Sequence, residues 1–144
     1  MSQADVLKQI KDEEIDYVDI RFTDPRGRLQ HVTIVADLVD QDFLEEGFMF
    51  DGSSIAGWKS IEESDMKLMP DCDSAYVDPF YAEKTLCIHC SVVEPDTMEP
   101  YARDPRGTAE KAEAYLIASG IGDMSYFGPE AEFFLFDDVR FQNS

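Results

Sequence analysis

The stretch DYVDIRFTDPRGRLQHVTIVA, residues 16–36, decides the fold class. Its first half alternates. Tyr17, Asp19 and Arg21 project to one side and Val18, Ile20 and Phe22 to the other, the period of two that a β-strand imposes. Asp24-Pro25-Arg26-Gly27 is turn chemistry: proline presets φ at the second position and glycine is free to take positive φ. β character resumes over residues 29–36 with Val32, Ile34 and Val35, so the stretch reads as a β-hairpin. Upstream, residues 3–13 read as a short amphipathic helix with Val6, Leu7 and Ile10 on one side and Lys8, Lys11 and Asp12 on the other. Downstream, residues 37–46 read as a helix with Leu38, Val39, Phe43 and Leu44 facing a core, stopped by Gly47. Residues 50–58 (FDGSSIAGW) are too rich in Gly and Ser for either regular element. Short strands follow at residues 66–69 and 76–77, and a stronger one at 84–93. Four or five strands with one covering helix make an α+β domain.

Residues 94–103 carry Pro95 and Pro100 and read as a connector, which divides the chain into a first domain, 1–103, and the beginning of a second, 104–144. The tetrapeptide Asp-Pro-Arg-Gly recurs at 104–107, but here Asp104 is placed to cap a helix and Pro105 to occupy its first position. Ala109, Ala112, Tyr115 and Leu116 line one stripe of that helix before Gly120 ends it. Residues 126–139 have a strand pattern. A helix and one aromatic-rich strand cannot close a core by themselves, so the sequence is expected to be cut short.

With 44% hydrophobic and 12% aromatic residues, the 144-residue chain is too apolar for a disordered acidic tail. Its formal net charge of −19 argues against nucleic acid or an anionic membrane as partner and leaves cations and ammonium-like groups as ligands. No stretch is long and apolar enough for a transmembrane helix, and the start lacks the basic end and apolar run of a signal peptide. Three cysteines (Cys72, Cys87, Cys90) are poor material for a disulfide framework, and the expectation is a cytoplasmic protein with reduced thiols. Cys87 and His89 would share one face of a strand and Cys90 the other, which favours local packing over a zinc site with Cys72 and His31.

Two segments carry candidate chemistry. In Gly128-Pro129-Glu130-Ala131-Glu132-Phe133, a strand would put Glu130 and Glu132 on one face, about 7 Å apart by the strand rise. Paired carboxylates of that kind suit hard divalent ions such as Mg²⁺ or Mn²⁺. Against this stands the common reading of Glu-x-Glu as a solvated strand face, which the neighbouring Phe134 and Phe136 make less apt. In Asp51-Gly52-Ser53-Ser54, glycine lets backbone approach a ligand while an acid and two hydroxyls supply oxygens for a cationic guest. Taken alone, the same four residues are an ordinary loop. Trp58, seven residues after Asp51, more often marks core or interface than a ligand platform.

The combination goes further than any one motif. Phe50-Asp51-Gly52-Ser53-Ser54, then Glu63-Ser64-Asp65 and Leu68, resemble the N-terminal signature of the glutamine synthetases of the bacterial type I class. Pro70-Asp71, Asp78-Pro79-Phe80 and the run from Tyr101 to Arg106 resemble that family's following segments. Gly128-Pro129-Glu130-Ala131-Glu132 resembles its first metal-ligand strand. The resemblance covers nearly the whole chain in the family's order. It implies a β-grasp N-terminal domain followed by an incomplete α/β catalytic domain, and an ATP-dependent ligase that joins ammonium to the γ-carboxylate of glutamate through a γ-glutamyl phosphate. It further implies that Glu130 and Glu132 bind Mg²⁺ or Mn²⁺ near ATP, and that Asp51 and Ser54 help form the ammonium pocket of a neighbouring subunit in two stacked six-membered rings. The family's remaining metal ligands, glutamate-binding arginines and nucleotide pocket are not in these 144 residues, so the chain alone is expected to be inactive as a ligase. The alternatives are a relative that attaches glutamate to a larger amine, and a non-catalytic β-grasp interaction module.

Overall fold

The computed structural model describes residues 1–58 and 64–143. Its elements are α1 (Gln3–Asp12), β1 (Tyr17–Thr23), β2 (Leu29–Val35), α2 (Gln41–Glu46), β3 (Phe48–Asp51), β4 (Asp65–Pro70), β5 (Tyr76–Val77), β6 (Thr85–Val93) and α3 (Pro105–Ser119). Among the described residues, six strands form one mixed sheet in the order β2-β1-β6-β4-β3, with the two-residue β5 also paired to β6. The hairpin is in register from Tyr17 opposite Val35 to Thr23 opposite Leu29. Strand β6 runs parallel to β1 and antiparallel to β4 and β5. This is the expected α+β class, and the mixed sheet with few helices is consistent with a β-grasp.

Period-two alternation sorts the sheet into two faces. One carries Val18, Ile20 and Phe22 of β1, Ile34 of β2, Met66 and Leu68 of β4, and Leu86, Ile88, Cys90 and Val92 of β6, all buried in a single core. Helix α1 closes that core with Val6, fully buried, and with Leu7 and Ile10 packed beside it. The helix starts at a capping box in which Ser2 Oγ accepts from the Asp5 amide and the Asp5 carboxylate accepts from the Ser2 amide.

The expected helix over 37–46 is interrupted. A short 3₁₀ turn, Ala36–Leu38, precedes α2, and Asp40 lies between them in extended backbone as the α2 N-cap, accepting from the Phe43 amide at 2.8 Å. Val39 and Leu44 reach the core as expected, whereas Leu38 is exposed. Gly47, at φ +81°, is the C-cap, and a Cβ there would meet the Leu68 carbonyl oxygen at 2.5 Å. Next comes β3, which corrects the expectation of no regular element from residue 50. Phe48 and Phe50 pack against the core while Met49 and Asp51 face outward, an alternation only four residues long and hidden between two glycines.

The second face of the sheet is polar and interlocked. Asp19, fully buried, accepts from Arg21 Nε at 2.8 Å and from Thr33 Oγ1 at 2.8 Å, and His31 Nδ1 lies 2.7 Å from its Oδ1. Arg21 continues to the Asp78 carboxylate (2.9 Å) and the Tyr76 hydroxyl (2.6 Å). Burial pushes the Asp19 carboxyl upward, but the hydrogen bonds from Arg21, His31 and Thr33 outweigh it and hold the group below the usual carboxylate range. Cys87 lies on this face, its Sγ 3.8 Å from Asp78, and burial pushes its thiol up to about 11. Cys90 is on the core face, so the two thiols do point to opposite sides of β6.

The two Asp-Pro-Arg-Gly copies do different work. Asp24 closes the hairpin turn by accepting from the Arg26 and Arg28 amides and from Gln30 Nε2. Asp104, almost fully buried, caps α3 through the Arg106 amide (3.0 Å) and also accepts the Val92 amide of β6 at 2.9 Å. Beyond its first turn α3 is uncovered: Ala109, Ala112 and Tyr115 of the expected stripe are exposed, and Leu116 is half-buried. The expected strand over 126–139 is absent, since residues 121–143 contain no regular element. A strand is held by a neighbour's backbone, and no described strand lies beside this segment.

Two stability experiments follow from these contacts. Asp104→Ala removes a helix cap and orphans a buried amide, so urea unfolding should show a loss of about 2–3 kcal/mol; a loss under about 0.5 kcal/mol would contradict the shared role. Because Asp19 titrates low when folded, its ionised form stabilises the fold above the ordinary carboxylate pKa, and that contribution is lost as pH falls through the lower folded value. Arg21→Met should therefore cost about 3 kcal/mol at neutral pH, with the deficit narrowing on acidification as Asp19 is protonated. Equal deficits at pH values of about 7 and 2 would refute that coupling.

Candidate functional site

The turn that follows β3 is built on a close backbone approach. The Gly52 amide donates to the Ser64 carbonyl at 2.7 Å, just before β4 begins. A Cβ at Gly52 would lie 2.4 Å from Met66 Cγ and 3.0 Å from the Ser64 oxygen, so only glycine allows the turn to sit this tightly on β4. Residues Gly52–Ser54 form a 3₁₀ turn capped by Asp51, whose Oδ1 accepts from the Ser53 amide (2.9 Å) and the Ser53 hydroxyl (2.6 Å). The hydroxyl bond is the largest cause, followed by the amide, and together they hold the Asp51 carboxyl below its ordinary value. Asp51 and Ser54 are both exposed, and Asp51 stands opposite Asp65 across the β3–β4 ladder. The outcome is an ionised, outward-facing carboxylate on a turn whose own backbone is pinned to the sheet.

The far end of this segment is anchored by an aromatic cluster. Trp58 is 5% exposed, with ring centroids 5.4 Å from Phe22, 5.9 Å from Phe50 and 5.5 Å from Tyr101. It therefore belongs to the core, in keeping with the ordinary role of a lone tryptophan. Its Nε1 is buried and has no hydrogen-bond partner among the described residues. Arg103 Nη1 donates to the Gly57 carbonyl at 2.7 Å and to the Trp58 carbonyl at 3.2 Å. Sequence reasoning missed Arg103, because a side chain bonding to backbone carbonyls 46 and 45 residues away leaves no local pattern. Glu63, in the stretch that carries the resemblance, lies outside the described residues.

Glu130 and Glu132 are exposed in the segment without regular structure, so the shared strand face expected for them is not formed. Their carboxylates are hard oxygen donors of the type that Mg²⁺ and Mn²⁺ favour. Among the described residues, no group of three or more His, Cys, Asp or Glu side chains could hold a metal ion. The pair thus fits such an ion chemically as part of a donor set. Among the described residues, no helix is long and apolar enough to cross a membrane.

Residues 14–95 match the family model described as the β-grasp domain of glutamine synthetase, and residues 102–144 match the model of its catalytic domain. A glutamine synthetase of Cereibacter sphaeroides is 80% identical over 138 residues, 96% of this chain and 30% of the relative. One from Bradyrhizobium diazoefficiens is 63% identical over 140 residues, 97% of this chain and 30% of the relative. The cryo-EM structure of Plasmodium falciparum glutamine synthetase shares the fold, with a TM-score of 0.76 at 23% identity over 83% of this chain and 23% of that one. The chain spans about 30% of the length of the curated relatives it matches. With the family models accounting for both the sheet and the segment that begins at α3, the chain belongs to the glutamine synthetase family.

Proposed function

We propose that this chain is the N-terminal part of a glutamate–ammonia ligase, with residues 1–103 as its β-grasp domain and 104–144 as the beginning of its catalytic domain. The observation that carries the reading is the 80% identity to a glutamine synthetase across nearly the whole chain. The reaction joins ammonia to the γ-carboxylate of glutamate after ATP has converted that carboxylate to γ-glutamyl phosphate. The nitrogen lone pair attacks the γ-carbonyl carbon and phosphate leaves. At neutral pH the nitrogen donor is mostly NH₄⁺, whose lone pair is blocked by a proton. An ionised carboxylate beside the pocket attracts the cation and, as a base, accepts the proton whose departure frees the lone pair for attack. Asp51 supplies that charge and Ser54 a hydroxyl, both directed to the active site of a neighbouring subunit. The low titration and exposure of Asp51 support this role.

Glu130 and Glu132 would hold Mg²⁺ or Mn²⁺, which when bound neutralises phosphate oxygens of ATP. The aromatic residues around them, Phe127, Phe133, Phe134 and Phe136, are exposed in this chain and would be covered by the strands of a complete catalytic domain. The assembly is a homo-oligomer of two stacked six-membered rings in the cytoplasm. Residues 1–144 alone have no ligase activity on this reading.

The test uses the ligase formed by joining this chain to the remaining catalytic segment of the Cereibacter sphaeroides relative. Asp51→Ala should raise the ammonium requirement a few hundred-fold, the size of a lost electrostatic term, while glutamate-dependent formation of γ-glutamyl phosphate continues. An equal fall in both steps would overturn the assignment. Glu130→Ala and Glu132→Ala should each weaken the Mn²⁺ titration and slow the phosphoryl step; an unchanged titration would remove them from the ligand set.

A further inference from the structure

Two separate anchors fix the segment that carries Asp51 and Ser54, and they belong to different parts of the chain. The near anchor is Gly52 against β4, within the sheet. The far anchor is supplied by the connector. Tyr101 packs edge-on to Trp58, and Arg103 grips the Gly57 and Trp58 carbonyls with one guanidinium nitrogen. The connector itself is fastened to β6, since the Tyr101 amide donates to the Val92 carbonyl and the Val92 amide to the Asp104 carboxylate. One residue further on, Asp104 opens α3. The side chain that closes the far end of the turn-bearing segment thus stands next to the cap of the first helix in the segment that matches the catalytic domain.

A carbonyl pair at a chain reversal can be satisfied by water, so a guanidinium there is not needed to keep the backbone hydrated. It adds a charged, directional bond that restricts the segment to one path. Gly57, at φ +89°, would otherwise give that path considerable freedom. We propose that Arg103 is a positioning residue for the Asp51–Ser54 turn, holding the amine-binding carboxylate at the angle set by the connector into α3. The proposal rests on the assignment of Asp51 to the ammonium pocket, and it adds that the pocket's geometry is fixed from the junction as well as from the sheet.

The experiment compares Arg103→Met, Arg103→Lys and Asp51→Ala in the joined ligase described above. Arg103→Met should raise the KM for ammonium about tenfold, the size of one lost charged hydrogen bond. The KM values for glutamate and ATP and the Mn²⁺ titration should stay unchanged. Arg103→Lys keeps a charge able to reach one carbonyl and should recover part of the loss. Hydrogen exchange at residues 52–58 should quicken in both variants while β6 amides remain protected, a signature that also reads the effect if Arg103→Met assembles poorly. If Asp51→Ala raises the ammonium KM and neither Arg103 variant moves it or the exchange, the positioning role is overturned. If Asp51→Ala itself leaves the ammonium KM unmoved, the underlying assignment of Asp51 fails instead.

Discussion

Strand β6 is the constraint on which the rest of the molecule depends. It is buried on both faces along most of its nine residues, so its backbone donors and acceptors need partners other than bulk water. Strand β1 pairs with it only as far as His89, while β5 and β4 divide the other edge. Two groups beyond the reach of β1 are taken by the connector: the Val92 amide by Asp104 and the Val92 carbonyl by the Tyr101 amide. Satisfying this one strand therefore ties the hairpin, the short strands and the start of α3 to a common frame. The connector is bridged to β6 at Pro100 opposite Val93 as well, and its Tyr101 is one of the ring neighbours of Trp58.

That frame gives the Asp51 turn its properties. An exposed carboxylate is ordinarily mobile and weakly directed, because water satisfies it in many orientations. Here its Oδ1 accepts both donors of Ser53, its following glycine is wedged against Met66 and Ser64, and the segment beyond it ends in a buried aromatic cluster. The group is held in place while still open to a partner. The interlocked face of Asp19, Arg21, His31, Thr33, Tyr76 and Asp78 stiffens the same sheet from behind, at the cost of making its stability depend on paired charges.

Much of this is legible in the residues. The alternation of residues 17–22, the Asp-Pro-Arg-Gly turn and the apolar run of 84–93 give the hairpin and the central strand, because period two and turn chemistry are local signals. The capping role of Asp104 is likewise local, whereas its second bond to Val92 is not, since it joins residues with no shared pattern. Strand β3 escapes notice because four residues between Gly47 and Gly52 are too few for a period to register. Residues 126–139 show the reverse: a strand pattern without a strand, because a ladder requires a second backbone. For the site, the residue types of the Asp51 turn suggest a cationic ligand, and the order of several motifs along the chain identifies the family. The hold of Arg103 on the segment emerges only in three dimensions.

The role proposed for Asp51 is to serve an active site completed by another subunit. The most direct measurement is a crystal structure of the assembled ligase soaked with thallium(I), an ammonium surrogate with strong anomalous scattering, together with Mn²⁺. The expected result is a thallium site bonded to the Asp51 carboxylate of one subunit and facing the Mn²⁺-bearing Glu130 and Glu132 of its neighbour. Thallium remote from every Asp51, or an Asp51 facing the glutamates of its own chain, would contradict it.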